Sequence, residues 1–246
     1  MAKSKHYYIR KIHRYLGVIL GIQFLMWTIG GLYFSWTNID EIHGDLEHKI
    51  PPHISASFNF ISPAAVLNQP NVKADSIGYI QLVNILQKPF YSISYFSGDI
   101  MKTILADAQT GTIRPPVSKQ EAIEIASESF SGNPNVKAIE YLTAISKHHE
   151  YRGKPLPAWK ISFLSAANTN VYVSANTGRV ETFRNTKWRI FDWLWMLHTM
   201  DYNGRDNLNN WVLRAFSIFG LVTVLSGFTL FFVSSKWFRK KKEKTV

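Results

Sequence analysis

From Tyr15 to Trp36 run 22 consecutive residues without Asp, Glu, Lys, Arg or His, and from Ala215 to Val233 run 19 more. At 1.5 Å of rise per residue the first run extends about 33 Å, against a hydrocarbon core of about 30 Å. The second is shorter but adequate. In hydrocarbon, a helix is the one structure such a single run can adopt with every backbone amide satisfied. Trp27, Tyr33 and Trp36 along the first run, with Trp211 and Trp237 flanking the second, fit the aromatic belts of membrane interfaces. A cleaved signal peptide would have a hydrophobic core of about 7–15 residues followed by small residues. The first run is longer and continues into "YFSWTNIDE", so it is expected to be an uncleaved anchor.

The net charge of +11 resembles that of a nucleic-acid binder until it is divided by region. Residues 1–14 carry Lys3, Lys5, Arg10, Lys11 and Arg14 and no acid. Residues 234–246 carry Lys236, Arg239, Lys240, Lys241, Lys242 and Lys244 against Glu243, and Arg214 adds one more positive charge. Between 37 and 210 there are 16 basic and 16 acidic residues, so that stretch is neutral. The excess therefore flanks the apolar runs, which places both ends in the cytoplasm, residues 37–210 outside, and the basic tails near anionic lipid. Nucleic acid is not expected as a partner. The absence of cysteine excludes disulfides, thiolate metal sites and cysteine nucleophiles.

The stretch between the spans contains a repeat. "FYSISYFSGDIMKTILADAQTGTI" (90–113) aligns with "AWKISFLSAANTNVYVSANTGRV" (158–180) with one residue of slippage. Each copy alternates as a strand, a polar turn and a second strand, ending at A-x-T-G-x-[IV], where Gly111 and Gly178 would supply a positive φ. "IGYIQLVNI" and "VKAIEYLTAI" are expected to add a strand ahead of each hairpin. Ser118 with Glu121 forms a capping-box pattern, and Ser62–Pro63 places a capping hydroxyl and an N1 proline before "AAVL". The expected class is α+β: two units, 57–114 and 115–186, each a helix plus an antiparallel sheet, after a linker at 37–56. Beyond them, "KWRIFDWLWMLHTMDY" within 187–210 is expected in the outer interface, with Asn209 or Asn210 capping the helix that spans 211–234.

The H-R-x-x-G head of the first span, the doubled A-x-T-G hairpin and "DWLWMLHTMDY" before the last span resemble the PepSY-associated transmembrane proteins. The resemblance implies two PepSY-like units on the outer side of a bacterial inner membrane, between transmembrane helices 15–36 and 211–234, with basic cytoplasmic segments at 1–14 and 235–246. It also implies two functions. Larger, four-span relatives include ferric-siderophore reductases, oxidoreductases of iron metabolism that hold b-type haem between helices through paired histidines. PepSY domains elsewhere are thought to bind and regulate peptidases or sensor proteins.

The haem expectation rests on His13 and His198, with His43 as an alternative partner for His198 and Arg214 as a balance for a haem propionate. Bis-histidine ligation needs two neutral imidazoles facing each other across the iron. His13 and His198 lie roughly a bilayer apart, so a homodimer would pair each with its copy, or His43 would reach His198 within one chain. Gly17 and Gly21 near His13, and Gly220 and Gly227 on the second span, are expected to let helices approach closely, with Ser217 and Thr223 in the same stripe. Against this stand plainer readings: His13 as an interfacial residue, His198 among tryptophans, and the stretch holding His43, His48 and His53 as a solvated linker. His148 and His149 are expected on a loop tip. The motifs of zinc peptidases, serine hydrolases, P-loops and dinucleotide folds are not found. The sequence thus supports a membrane protein that is either a haem-b electron carrier or a non-enzymatic module binding a peptide or protein, as a homodimer or with a partner membrane protein.

Overall fold

A computed structural model describes residues 5–50 and 52–234. The basic stretch 235–246, with Trp237, lies outside the described residues, as do residues 1–4 and the side chain of His6. The chain forms two compact units, one made of the two terminal regions and one of Thr37–Ile190.

The terminal unit is built on two helices, α1 (Lys5–Trp36) and α6 (Trp211–Ser234). Within them, Arg10–Trp36 and Trp211–Val233 are long and apolar enough to cross a membrane. Along α1 the shielded positions include His13, Leu16, Leu20, Gln23, Trp27, Gly30 and Phe34, and along α6 Leu213, Phe216, Gly220, Thr223, Gly227 and Leu230. Both series step by three and four, the spacing that keeps one seam against a neighbour. The α1 seam serves two partners. Toward its N-terminal half it meets α6, where Gly227 leaves room for the His13 ring and Gly220 for the Phe24 ring.

Toward its C-terminal half the seam meets the end of α5 (Thr186–Thr199), with Gly30 beside Leu194 and Phe34 beside Phe191. The last carbonyls of a helix have no partner inside it. Gln23 Nε2 donates to the Leu197 carbonyl at 2.9 Å, and Trp27 Nε1 donates to the same oxygen at 3.3 Å. The aromatic segment ahead of the second span is thus a helix of its own. It stops at Met200, which has a positive φ, and Asn210 then caps α6 by accepting from the Leu213 N–H at 2.8 Å.

The other unit holds two four-stranded antiparallel sheets, each in sequential strand order and each following a helix. The first has α3 (Pro63–Leu67), then β1 (Ser76–Ile85), β2 (Lys88–Ser97), β3 (Ile100–Asp107) and β4 (Ile113–Arg114). The second has α4 (Lys119–Ser129), then β5 (Val136–Leu142), β6 (Ala158–Phe163), β7 (Asn170–Ser174) and β8 (Val180–Arg184). The helix starts follow from local chemistry: Ser62 accepts from the Ala64 N–H, and Ser118 and Glu121 close a reciprocal capping box. One core joins both sheets. Val83, Ile85, Phe90 and Leu105 of the first pack with Ala122, Ile125 and Ala126 of α4 and with Ile161, Val171 and Val173 of the second.

Two features of this unit differ from the sequence expectation. Residues 39–49 are not a solvated linker. They form α2 (Ile39–His43) and a 3-10 turn, with Ile42 buried and the Glu41 carbonyl held by Asn185 Nδ2 at 2.9 Å. The stretch at 147–155 is not a bare loop tip either. Tyr151 is fully buried and stacks on Tyr172, while Glu150 accepts from Tyr172 Oη at 2.6 Å, Asn170 Nδ2 at 2.5 Å and Arg189 Nε at 2.7 Å. Burial pushes the Glu150 carboxyl up, but the donors from Arg189, Tyr172 and Asn170 outweigh it and hold it below the ordinary glutamate value.

Two predictions follow from these contacts. Gly178 has φ +67°, and a Cβ there would lie 2.4 Å from Ile85 Cδ1. Gly178→Ala is therefore expected to destabilise the two-sheet unit by about 2 kcal/mol or more, read by urea unfolding. The Glu150 carboxyl is lowered on folding, so the stability it adds is complete above the unfolded glutamate pKa and is lost as pH falls through the folded one. Thermal stability should decline below about pH 4.5, and Glu150→Gln should lower it at pH 7 by about 2 kcal/mol while flattening that decline. Asp107 and Glu121, also held low, account for the slope that remains.

Candidate functional site

His13 lies in the seam between α1 and α6. Its Nδ1 is 2.7 Å from Ser226 Oγ, and a Cβ added at Gly227 would be 3.6 Å from its Cε1. Ser226 Oγ in turn donates to the Thr223 carbonyl at 2.8 Å. An imidazole at the head of an apolar run is thereby given a hydroxyl partner on the neighbouring span, which answers the desolvation of its ring nitrogen. Gly17 and Gly21 do not join this contact, since a Cβ at either would meet nothing within 4 Å. The reason is angular: at 100° per residue they stand about 40° and 80° round from His13, whereas Leu20 returns to within about 20° of it. Gly220 and Gly227 line the seam together with Gly30, and Ser217 turns outward to donate to the Leu213 carbonyl at 2.8 Å.

His198 is exposed near the end of α5, its ring 5.7 Å from Trp27, 5.9 Å from Trp195 and 6.4 Å from Phe34. Arg214 is exposed in the first turn of α6. Arg205 reaches back to α5 and pairs with the buried carboxylate of Asp192. Asp201 gathers the backbone N–H groups of Asn203, Gly204 and Asn207, which hold its carboxyl below the ordinary range and fix the 200–210 connection.

A b-type haem between spans needs two imidazoles across an iron with room for the macrocycle. Within one chain these residues do not fit that group. The helices touch where His13 lies, its Nδ1 faces a serine, and the His198 ring has indole and phenyl neighbours. Among the described residues, no group of three or more His, Cys, Asp or Glu side chains is placed to hold a metal ion.

In the two-sheet unit His43 ends α2 and, with His48, lines a cavity of about 330 Å³ that also contains Asp45, Lys154 and Arg184. The Arg184 guanidinium lies 4.1 Å over the Trp188 ring and donates to the carbonyls of Glu150 and Phe183. Burial pushes its pKa down to about 10. Arg184 thereby knits β8 to the 147–155 stretch and reads as structural. His148 and His149 belong to the same folded stretch, and His149 Nδ1 accepts from the Tyr151 N–H at 3.1 Å.

A larger cavity of about 570 Å³ opens beside β1, the terminal strand of the first sheet. Gln81, Leu82, Val83 and Asn84 line one side, and Ile125 and Ser129 of α4 with Gly178–Val180 line the other. A second cavity of about 380 Å³ continues it past Asn84, Ile125 and Ser129 to Lys49, Ile50 and Pro52. The first half of β1 is open to solvent, with Ile77 54%, Tyr79 42%, Ile80 39% and Leu82 42% exposed. Sequence reasoning recognised the strand but not its place at an edge, because strand order is set by long-range pairing that alternation does not encode.

Comparison with curated proteins and with solved structures gives no match. The family described as the PepSY-associated TM region matches residues 2–234, nearly the whole chain. Two apolar helices at the ends, a two-sheet body between them and this match lead to one conclusion: the chain is a membrane protein of the PepSY-associated transmembrane family.

Proposed function

We propose that this protein is a non-enzymatic membrane anchor for a binding body, in which a pair of PepSY-like units on the outer side of the inner membrane captures a polypeptide such as a peptidase or a partner membrane protein. The observation that carries this reading is the uncovered half of β1. Large apolar side chains along a sheet edge are ordinarily shielded or replaced by charge, and where they remain exposed they mark an interaction surface. Ile77, Tyr79, Ile80 and Leu82 remain exposed here, in a strand with no charged residue. Strand edges recognise polypeptides through main-chain hydrogen bonds, and neighbouring pockets choose side chains.

The topology proposed with it puts both termini in the cytoplasm, because the positive charge outside residues 37–210 clusters beside the spans. The rival reading is a haem-b electron carrier for ferric-siderophore reduction. One feature favours it: Ser226 engages Nδ1 of His13 and leaves Nε2 for another ligand. It requires a second copy of the chain, or a partner membrane protein, to supply the opposing imidazole.

A reduced-minus-oxidised absorption spectrum of the full chain, purified from haem-replete cells, separates the two. We expect no Soret or α-band signal. A signal that disappears in His13→Ala would replace the binding reading with electron transfer. For the topology, protease added to intact spheroplasts should cut within residues 37–190, and a protected middle segment would reverse the orientation.

A further inference from the structure

We infer that the outer edge of β1 from Ile80 to Asn84 is a strand-acceptor site for one extended segment of a partner polypeptide, uncharged but for an acidic residue opposite Arg179. The inference rests on the binding function proposed above and names its site and the chemistry of its ligand.

The ladder shows which backbone groups are offered. In an antiparallel pair, residues alternate between those that exchange hydrogen bonds with the neighbour and those whose N–H and C=O point away from it. Asn84 is opposite Pro89, which has no N–H and whose carbonyl accepts from Ala108 N–H at 3.1 Å on the other side. That pair is therefore not hydrogen-bonded. The same phase applies to Leu82 opposite Tyr91 and Ile80 opposite Ile93, since the register shift lies earlier, between Ile77 and Tyr79. The N–H and C=O groups of Ile80, Leu82 and Asn84 thus face the open edge. The Asn84 side chain adds an acceptor: its Nδ2 donates to the Pro52 carbonyl at 2.9 Å, while its buried Oδ1 has no hydrogen-bond partner.

The walls define the occupant. Ile125 and Ser129 of α4 and the Gly178–Val180 turn stand across the cavity from β1. A strand of about five residues, roughly 16 Å long, would cover Ile80–Asn84. A second copy pairing through the same edge would present β1 itself, which has no carboxylate to set against Arg179. Charge narrows the ligand further. β1 has no charged side chain, and besides His48 the 570 Å³ cavity is lined by one ionisable group, the exposed Arg179, whose Nη1 donates to Gln81 Oε1 at 2.8 Å. A segment with apolar residues toward Leu82 and Ile125 and one carboxylate toward Arg179 complements that lining.

The probe is a fluorescein-labelled hexapeptide, Val-Thr-Val-Thr-Val-Glu with its C-terminus amidated, titrated against the full chain in lipid nanodiscs and followed by anisotropy and by hydrogen exchange. Saturable binding is expected, with slowed exchange at Ile80, Leu82 and Asn84. Leu82→Pro removes an N–H that makes no ladder bond, so the unit should stay folded. It should weaken the peptide about fivefold or more beyond the effect of Leu82→Ala. Arg179→Glu should weaken it too, and a peptide with Lys in place of Glu should restore binding to that variant. Binding that Leu82→Pro leaves intact, or protection confined elsewhere, overturns the edge site while the polypeptide-binding function stands. No binding to the wild-type chain overturns the site as well, and the function falls with it only if a partner also fails to co-purify with the chain. Self-association that Leu82→Pro abolishes would assign the edge to a second copy and overturn the single-segment occupant.

Discussion

One face of α1 has to satisfy two neighbours in surroundings where water cannot help. In hydrocarbon, a polar group without a partner carries its full desolvation penalty. The polar members of the α1 seam are each matched: His13 to Ser226 on α6, and Gln23 and Trp27 to the Leu197 carbonyl at the end of α5. The glycines mark the places where side chains must pass, Gly227 beside His13, Gly220 beside Phe24 and Gly30 beside Leu194. Close approach and matched polarity are what hold membrane helices together when lipid is as apolar as leucine. The seam therefore fixes both the span pairing and the position of α5, whose final carbonyls would otherwise be open.

The two-sheet unit solves a different problem. Each four-stranded sheet buries apolar surface in a small cluster of its own, around Val66 and Ile93 in the first and around Tyr151 and Tyr172 in the second. A single core through α4 uses the inner faces of both sheets, and the Gly178 turn packs directly on Ile85 of the other sheet. This arrangement covers Val83–Ile85 and leaves β1 exposed from Ser76 to Leu82. The open edge is thus a consequence of where the shared core ends. The strap at 39–49 and the Glu150 cluster close the remaining polar gaps around the second sheet, through Thr169 Oγ1 to Glu47 Oε2 at 2.5 Å and Arg189 to Glu150.

Features set by local chemistry were legible in the sequence. The apolar runs, the Ser62 and Ser118 caps, the Asn210 cap and the glycines at 111 and 178 each follow from a few neighbouring residues, and each stands where expected. Features set by pairing across the chain were not. Nothing local marks Glu150 as buried, because its partners Tyr172 and Arg189 are more than twenty residues away. Gly17 and Gly21 are near His13 in sequence, but each step of four adds about 40° round the helix, and a Cβ at either would meet nothing within 4 Å. Gln23 carried a signal that could have been read: it is the one amide side chain in an otherwise apolar run, and a buried amide needs a partner.

An open, uncharged edge strand invites indiscriminate pairing, and natural sheets usually blunt such edges with lysine, proline or a bulge. β1 carries a bulge at Gly78 but no charge anywhere along its ten residues. Its protection comes instead from what stands opposite. α4 and the Gly178–Val180 turn line the same cavity as the Gln81–Asn84 stretch, so a chain that pairs there must enter the space they bound. Those walls bear on the bulk of a ligand and not on its side chains. The exposed Arg179 adds a preference for which end of that chain carries the negative charge. Bulk and charge thus act on different properties of the ligand, and changing Arg179 should alter which segment binds without opening the edge to aggregation.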